Sequence, residues 1–271
     1  MIYIITALYS EAQIFIGQYH LKKNVANTRF QEFFREEEQI RLIISGPGEI
    51  AAAAAVASLC TLYPPSERDW LFHAGVCAGA QTGEIFLCHK LIEETTGKTF
   101  YPDLLYRYGL PESAITTAAK IREESVGAGL IDLEACAVYQ AGSYFFQTHR
   151  MLFVKVVSDN GNPKQVTAEQ ISRYMQAHRE RFVQIISMLN EITDQEQKEP
   201  PMQEERIRQL SGDLHCSKAM EDSLRQYLRY ACLAGIDAPG VIRQMYQSGL
   251  LPCAGKKEGK QRFEEIKKRL L

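Results

Sequence analysis

The sequence predicts an α/β fold in which the strands of a largely parallel sheet alternate with helices. Two observations support this prediction. First, five short runs rich in β-branched and aliphatic residues are each followed by a loop of small or polar residues. Second, segments between and after these runs place apolar residues three and four positions apart, which is typical of helices that pack on a sheet. With 271 residues, 45% of them hydrophobic, the chain can bury a sizeable core.

The first half of the predicted sheet begins at the N-terminus. The first strand is predicted at residues 2–8, "IYIITAL", and the second at residues 40–46, "IRLIISG". A Gly-Pro-Gly turn then leads into an alanine-rich helix at residues 49–63. Small side chains along this helix allow it to lie close to the sheet.

Three further strands are predicted at residues 69–80, "DWLFHAGVCAGA", 83–94, "GEIFLCHKLIEE", and 152–159, "LFVKVVSD". Helical spacing predicts one helix over residues 132–146 and another over residues 168–192. The five strands and their helices predict a domain over residues 1–195.

The composition changes near residue 195. Residues 190–208 are polar and contain a proline pair, which predicts a linker. Beyond them the sequence predicts a helical extension over residues 203–271. Its first helix ends at Gly235, its second runs from the capping Asp237 to Gly249, and its third covers residues 256–271. The apolar stripe of the first of these helices consists of Met220, Leu224, Tyr227, Leu228, Ala231 and Cys232.

Charge and composition exclude several function classes. The net charge of -2 gives no general argument for nucleic-acid binding, and the +4 of residues 201–271 is better explained by a solvated helical surface. No apolar run reaches the roughly 20 residues of a membrane helix, and the N-terminus is not a basic signal peptide. Seven scattered cysteines predict reduced thiols and a cytoplasmic location, and the dispersed histidines predict no metal site.

Chemistry-bearing residues follow the predicted strands. If the sheet is parallel, the carboxyl ends of these strands face one crevice, where α/β proteins place their chemistry. The segments expected there are Glu11, "SGPG" at 45–48, "HAGVCAGA" at 73–80, Asp132 with Glu134, and "SDN" at 158–160.

Taken in order, these pieces resemble the nucleoside phosphorylase and nucleosidase superfamily, above all the branch that hydrolyses 5′-methylthioadenosine and S-adenosylhomocysteine. The resemblance covers residues 2 to about 190 and does not extend to the C-terminal helices. It implies a three-layer α/β/α sandwich with a mixed, largely parallel central sheet. It also implies a homodimer or larger homo-oligomer and a nucleoside as the small-molecule substrate. The motifs that carry it are "IITALYSEA", "SGPGEIAAAAA", "HAGVCAGA", "IDLEACAV" and "VVSDN".

The resemblance assigns roles to three carboxylates. Asp159 would protonate the departing base, with Ser158 orienting it; the structural alternative is an aspartate that forms a turn. Glu134 would accept hydrogen bonds from the ribose hydroxyls, and Glu11 would polarise the attacking water. The structural alternative for both glutamates is an acidic residue in the first turn of a helix.

The remaining site residues are expected from the same resemblance. Leu133 would pack on the ribose, while Val76, Cys77 and Ala78 would line the base pocket. Ser45 and Gly46, in the turn before the alanine-rich helix, complete the predicted substrate-binding set. Neither a metal nor an organic cofactor is implied.

The nucleophile can be argued from two positions. Phosphorylases of this superfamily carry an arginine and a serine where this chain has His73 and Val76, so hydrolysis is predicted over phosphorolysis. Arg35 or Arg41 of a neighbouring subunit could still supply a cation for phosphate. A nucleoside phosphorylase is therefore one alternative. A second alternative is a non-catalytic nucleoside-binding or scaffold protein.

The sequence departs from the family pattern between the fourth strand and "IDLEACAV". This segment is short, and it contains no match to the Asp-x-Phe element that stacks on the base. Tyr101, Tyr106 or Tyr108 could complete the pocket instead.

Overall fold

The computed structural model describes residues 1–27, 29–121, 126–127, 129–162, 166–198 and 204–270; the side chains at 195–198, 204, 232 and 233 are not described. The chain forms two compact units, Met1–Thr193 and Asp194–Leu271. The first unit is a mixed α/β structure and the second is helical.

The described residues form ten strands and nine α-helices. The strands are β1 (Ile2–Thr6), β2 (Lys22–Lys23), β3 (Gln31–Arg35), β4 (Ile40–Ile44), β5 (Trp70–Gly79), β6 (Ile85–Glu93), β7 (Thr99–Phe100), β8 (Glu112–Thr117), β9 (Leu130–Asp132) and β10 (Met151–Asp159). The helices of the first unit are α1 (Tyr9–Gln18), α2 (Glu49–Leu62), α3 (Ala135–Gly142), α4 (Ala168–Ala177) and α5 (Arg179–Lys198), the last of which crosses the unit boundary. The second unit contains α6 (Glu204–Asp213), α7 (Lys218–Leu233), α8 (Ala238–Gln247) and α9 (Lys256–Leu270).

The sheet is mixed and centred on β5. This long strand runs parallel to β1 and β10 and antiparallel to β9. Because β10 also pairs with β6, β6 with β8 and β8 with β9, these strands close a circuit that returns to β5. Five of the ten pairings among the described strands are antiparallel, so the sheet is less parallel than the sequence analysis expects. The short strands β2, β3, β7 and β9, which no long apolar run announces, account for most of the difference.

The first unit buries apolar side chains in two clusters. One contains residues of α1, α4 and α5 with alternate residues of the strands, such as Ile4 and Phe72. The other contains residues of α2 and α3 with the intervening strand residues, such as Ile5 and Leu71. The two clusters therefore take alternate residues of the same strands, whose successive side chains point to opposite faces of the sheet.

All five strands predicted from apolar runs are present. One predicted helix and the predicted linker need correction. The helix predicted over 168–192 is two helices, α4 and α5, separated at His178. Most of the linker predicted over 190–208 is helical, because α5 continues to Lys198 and α6 begins at Glu204. Buried Ile192 and Ile207 continue the helical spacing that the charged composition of this stretch conceals.

The second unit has its own core. Helices α6 to α9 bury apolar residues against one another, among them Leu210, Leu224, Ile242 and Ile266. Leu224, Leu228 and Ala231 of the predicted stripe are buried there, while the side chain of Cys232 lies outside the described residues. Asp237 caps α8 by accepting a hydrogen bond from the Gly240 amide at 2.9 Å.

Among the described residues, no helix combines the length and the apolar character needed to cross a membrane.

Candidate active site

The carboxyl end of β5 is unusually open to close approach by neighbouring groups. Its last residues are "GVCAG", so small side chains leave the backbone accessible. A Cβ atom on Gly75 would lie 2.8 Å from Oε1 of Glu11, which shows how closely the carboxylate approaches the strand. Any larger residue at position 75 would therefore have to displace the Glu11 carboxylate.

Glu11 is the third residue of α1, and its carboxylate accepts three backbone hydrogen bonds. Oε2 accepts from the amides of Ala7 and Leu8, and Oε1 accepts from the amide of Val76, each at 2.8 Å. The first two bonds satisfy amides at the start of α1, as expected for an acidic residue in the first turn of a helix. The third joins the helix to β5. Burial raises the pKa of Glu11, against the opposing effect of Lys155 and the three amides.

A lysine lies among the buried carboxylates. Lys155, in the middle of β10, is 1% exposed, and its Nζ lies 2.8 Å from both Oδ2 of Asp132 and Nε2 of His73. Burial alone disfavours the ammonium, but the charges of Asp132, Glu134 and Glu11 outweigh that effect and raise the pKa of Lys155. Lys155 is therefore charged and compensates part of the negative charge around it.

Asp132 ends β9 and is fully engaged. Its carboxylate accepts from the Thr117 hydroxyl at 2.8 Å and from the Ala135 amide at 2.9 Å, besides its ion pair with Lys155. Burial opposes ionisation, yet the adjacent ammonium lowers the pKa of Asp132 below its usual range. Asp132 thus both caps α3 and anchors Lys155.

Glu134 lies between Asp132 and α3 and reaches across to the turn before α2. Its Oε1 accepts from the Gly48 amide at 2.8 Å. Burial, followed by the charge of Asp132, raises the pKa of Glu134 to about 7. Proton sharing within this group of carboxylates is therefore expected near neutral pH.

Asp159 ends β10 and is held at both carboxylate oxygens. Oδ2 accepts from the Ser158 hydroxyl at 2.8 Å, and Oδ1 accepts from the Asn162 amide at 2.8 Å. The contact with the Asn162 amide closes a turn, as expected if Asp159 is a turn-forming aspartate. The Ser158 hydroxyl also lies 3.2 Å from the Cys77 carbonyl, which anchors the serine to β5.

The end of β5 brings the predicted carboxylates into one region. Glu11 bonds to Val76, and Asp159 is the register partner of Ala78. Val76 and Ala78 are about 7 Å apart, because an extended strand advances about 3.3 Å per residue. The charges of Lys155 and Glu11 both act on Glu134, which places Glu134 in the neighbourhood of Glu11.

The small residues predicted to bind substrate have differing surroundings. Val76, Ala78 and Leu133 are half-buried, whereas Cys77 packs into the core cluster of α2 and α3. The carbonyl of Cys77 accepts a hydrogen bond from Ser158.

The turn before α2 is tied to the end of β1. The amides of Ser45 and Gly46 donate to the carbonyls of Thr6 and Ala7 at 2.9 and 3.0 Å. The Ser45 hydroxyl lies 2.7 Å from the Gly46 carbonyl. These contacts hold the turn that presents the Gly48 amide to Glu134.

One tyrosine and one arginine of the alternatives raised by the sequence are engaged in contacts within the chain. Tyr106 packs its ring against Trp70, the first residue of β5, and so lies at the opposite end of the strand from the site. Arg41 is buried, pairs with Glu32 and Glu36 and stacks 3.6 Å over the Tyr63 ring, so it is not available to a neighbouring subunit. In both cases the aromatic partner comes from a distant part of the chain, so the sequence alone does not reveal the contact.

Sequence reasoning missed Lys155 and did not give His73 or Asp132 a role in the site. The available signal was a single lysine in the apolar run "LFVKVV". A charge within a buried strand must be paired, so this lysine predicts an acidic partner. Part of the region expected to cover the base, residues 122–125 and 128, lies outside the described residues. Among the residues that are described, no three His, Cys, Asp or Glu groups are placed to hold a metal ion.

Comparison with known proteins finds similarity in structure. No protein-family model matches the chain. No curated protein matches it either. Solved structures do match, over a share of the chain that is close to the size of the first unit.

The matching structures include two nucleosidases and a hydrolase. The 5′-methylthioadenosine/S-adenosylhomocysteine nucleosidase of Neisseria meningitidis, in complex with methylthio-immucillin-A, aligns with a TM-score of 0.57 at 16% identity, covering 69% of this chain and 97% of that one. The 5′-methylthioadenosine nucleosidase of Arabidopsis thaliana gives 0.58 at 16% identity, with 70% and 95% covered. Futalosine hydrolase of Helicobacter pylori gives 0.57 at 10% identity, with 69% and 97% covered. Over about 70% of its length, the chain therefore has the fold of these enzymes, as the resemblance of its motifs implies.

Proposed function

We propose that the chain hydrolyses the N-glycosidic bond of a purine-type nucleoside. The observations that support this proposal are that Glu11 bonds to Val76 and Asp159 pairs with Ala78 near the carboxyl end of β5, while the charges of Glu11 and Glu134 both act on the buried Lys155. Breaking this bond develops positive charge on the sugar and negative charge on the base. Carboxylates suit the first and a proton donor suits the second.

Asp159 is the proposed proton donor to the base. It sits at a strand end, and only one hydrogen bond to each oxygen is made by the described residues. Ser158 has a second acceptor in the Cys77 carbonyl. When Asp159 is protonated, the serine can donate to Cys77 and leave its own oxygen to orient the acid.

Glu134 is the proposed ribose ligand. A carboxylate can accept from both the 2′ and 3′ hydroxyls while keeping its bond to the Gly48 amide. The pKa of Glu134 is raised in the free protein. Hydroxyl donors favour the ionised carboxylate, so substrate binding would lower this pKa.

Glu11 is the proposed base for the attacking water. Its Oε2 accepts two amide hydrogen bonds, while Oε1 accepts one and keeps a lone pair for a water proton. A general base on one face of the sugar and a general acid on the other face, near the nucleobase, is the arrangement of inverting glycosidases.

The charge of the site supports water over phosphate as the nucleophile. Lys155 is paired with Asp132 and is outnumbered by the carboxylates around it. A phosphate entering beside Glu11 would meet net negative charge, because the positive charge of Lys155 is already compensated by Asp132. Arg41, one of the two arginines considered as phosphate ligands, is buried in its own contacts.

The architecture and assembly belong to the same proposal. We propose a three-layer α/β/α sandwich for the first unit, supported by its two core clusters on opposite faces of the sheet. A homodimer is proposed from the motif resemblance and is tested by sedimentation velocity on the full chain.

The function is tested by incubating the purified chain with methylthioadenosine, adenosine, inosine and uridine, with and without phosphate. We expect free purine base and the free sugar, at a rate independent of phosphate. Phosphate-dependent release with ribose 1-phosphate as product would identify a phosphorylase. Binding of a nucleoside without release of base would identify a non-catalytic binding protein.

A further inference from the structure

His73 has no role in the mechanism above, yet it is placed at the centre of the buried charges. It lies on β5 and is 1% exposed. Its Nδ1 is 3.0 Å from the Ile5 carbonyl on β1, and its Nε2 is 2.8 Å from Nζ of Lys155 on β10. The ring thus bridges both parallel neighbours of β5.

The two partners fix the protonation state of the ring. A carbonyl only accepts, so Nδ1 carries the proton and donates to Ile5. An ammonium only donates, so Nε2 carries the lone pair and accepts from Lys155. His73 is therefore neutral, in agreement with burial, followed by the Lys155 charge, which lowers its pKa to about 4.

We propose that His73 is a positioning residue for the cleavage reaction, which holds the Lys155 ammonium against Asp132 through its Nε2 lone pair. This inference rests on the proposed hydrolysis. The geometry behind it is the pair of 2.8 Å contacts that Lys155 makes, one to a carboxylate and one to a neutral acceptor.

A fixed ammonium is needed because the lysine side chain is long and the site offers it several partners. Asp132 lies within ion-pair distance of Lys155, and Glu134 and Glu11 act on it from further away. An ammonium that moved toward Glu11 would engage the lone pair that Glu11 needs for water. His73 prevents this by giving Lys155 a second partner on the side of Asp132.

The groups around the ring fit this role. Lys155 faces it from β10, and Asp132 faces it from β9, with Oδ2 3.9 Å from Nε2. The ring of Phe153 meets it edge-on at 5.8 Å. Glu11 of α1 and Glu134, the residue before α3, act on this cluster through Lys155.

Three substitutions separate the two bonds of His73. Glutamine places its terminal amide near the position of Nε2, so H73Q keeps an acceptor for Lys155. Asparagine is one bond shorter and places its amide near Nδ1, so H73N keeps only the donor to Ile5. Leucine fills similar space and H73L keeps neither.

We expect kcat of H73Q to stay within about threefold of the wild type. We expect H73N and H73L to lose about 10- to 100-fold in kcat, with KM changed by less than about threefold, because substrate contacts are intact. H178Q is the matched control: His178 bonds the Gly83 carbonyl, and we expect its kcat to be unchanged.

Equal activity of all three His73 variants would overturn the positioning role, as would wild-type activity in H73N with loss in H73Q. Inactivity of the wild-type chain on every nucleoside would instead overturn the proposed hydrolysis, and the His73 role with it. If the variants do not fold, nitrogen-15 NMR of the wild-type imidazole decides. We expect a neutral ring protonated at Nδ1 down to about pH 5, and a cationic His73 at pH 6 would refute the proposal.

Discussion

Lys155 shows at the scale of one residue how a buried charge is tolerated. Its ammonium is compensated by Asp132 in direct contact and by Glu134 and Glu11 at longer range. Removing one partner of a buried pair leaves the others without compensation in a region that excludes water. Stability and the ionisation of the site therefore depend on the same lysine.

We expect K155M to lower the free energy of unfolding by about 3–5 kcal/mol, because Asp132 would stay buried without its cation. Chemical denaturation measures this loss. The exposed Lys98 provides the control variant K98M, for which we expect less than about 0.5 kcal/mol. The double variant K155M/D132N should recover part of the loss, and a loss of less than about 1 kcal/mol in K155M would contradict the prediction.

Asp159 carries the proton-transfer prediction. D159N retains the shape of the side chain but cannot protonate the base, so we expect kcat to fall by about 10²- to 10⁴-fold. Release of base from the preferred nucleoside measures it. The control is E169Q on the exposed surface of α4, for which full activity is expected. Full turnover by D159N would remove Asp159 from the mechanism.

The raised pKa values of the glutamates predict a pH dependence. Glu11 must be ionised to act as a base, and burial raises its pKa, while burial and Asp132 raise the pKa of Glu134 to about 7. Protons therefore bind to this coupled group as pH falls, and activity is lost on the acid side. We expect an acid limb of kcat/KM with an apparent pKa above that of an ordinary glutamate. A limb centred below pH 4.5 would contradict this.

The contact between α1 and β5 is the decisive feature at the scale of elements. Glu11 approaches β5 so closely that a Cβ on Gly75 would lie 2.8 Å from its Oε1. The three amides that hold the carboxylate leave it little freedom to move aside. The same glycine therefore serves both the packing of the helix and the placement of the proposed base.

We expect G75A to reduce kcat by about 10-fold or more, because the added methyl group displaces the Glu11 carboxylate. Steady-state kinetics and thermal unfolding measure activity and stability together. Gly17, on α1 with no atom near its would-be Cβ, provides the control; G17A should keep full activity and gain up to about 1 kcal/mol. Equal kinetics for G75A and the wild type would contradict the displacement.

Strong patterns predicted elements well, and weak patterns failed. The long apolar runs of β1, β4, β5, β6 and β10 gave five correct strands. The break between α4 and α5 at His178 was missed because the apolar spacing continues through it. The His178 side chain, which contacts the Gly83 carbonyl, belongs to a tertiary contact that periodicity does not encode.

The two units carry the prediction at the scale of the whole molecule. All candidate catalytic residues belong to the first unit, which has two core clusters of its own, and the second unit has a separate core. We expect a chain ending at residue 198, the end of α5, to fold and to keep kcat within about threefold of the full chain. Circular dichroism and the nucleoside assay measure this. Loss of activity in a folded truncation would give the helical unit a part in the reaction.

The sequence by itself determined which strands end in polar residues and in what order these candidate site residues follow one another. Apolar runs that end in Glu11, in the Ser45–Gly48 turn and in Asp159 were recognisable, because burial and turn chemistry act on neighbouring residues. Only the tertiary structure decided which charges share one environment. Lys155, His73 and Asp132 come from three strands far apart in the chain, and they meet because β5 pairs with both β9 and β10. Such a network depends on desolvation and distance, which sequence patterns do not record.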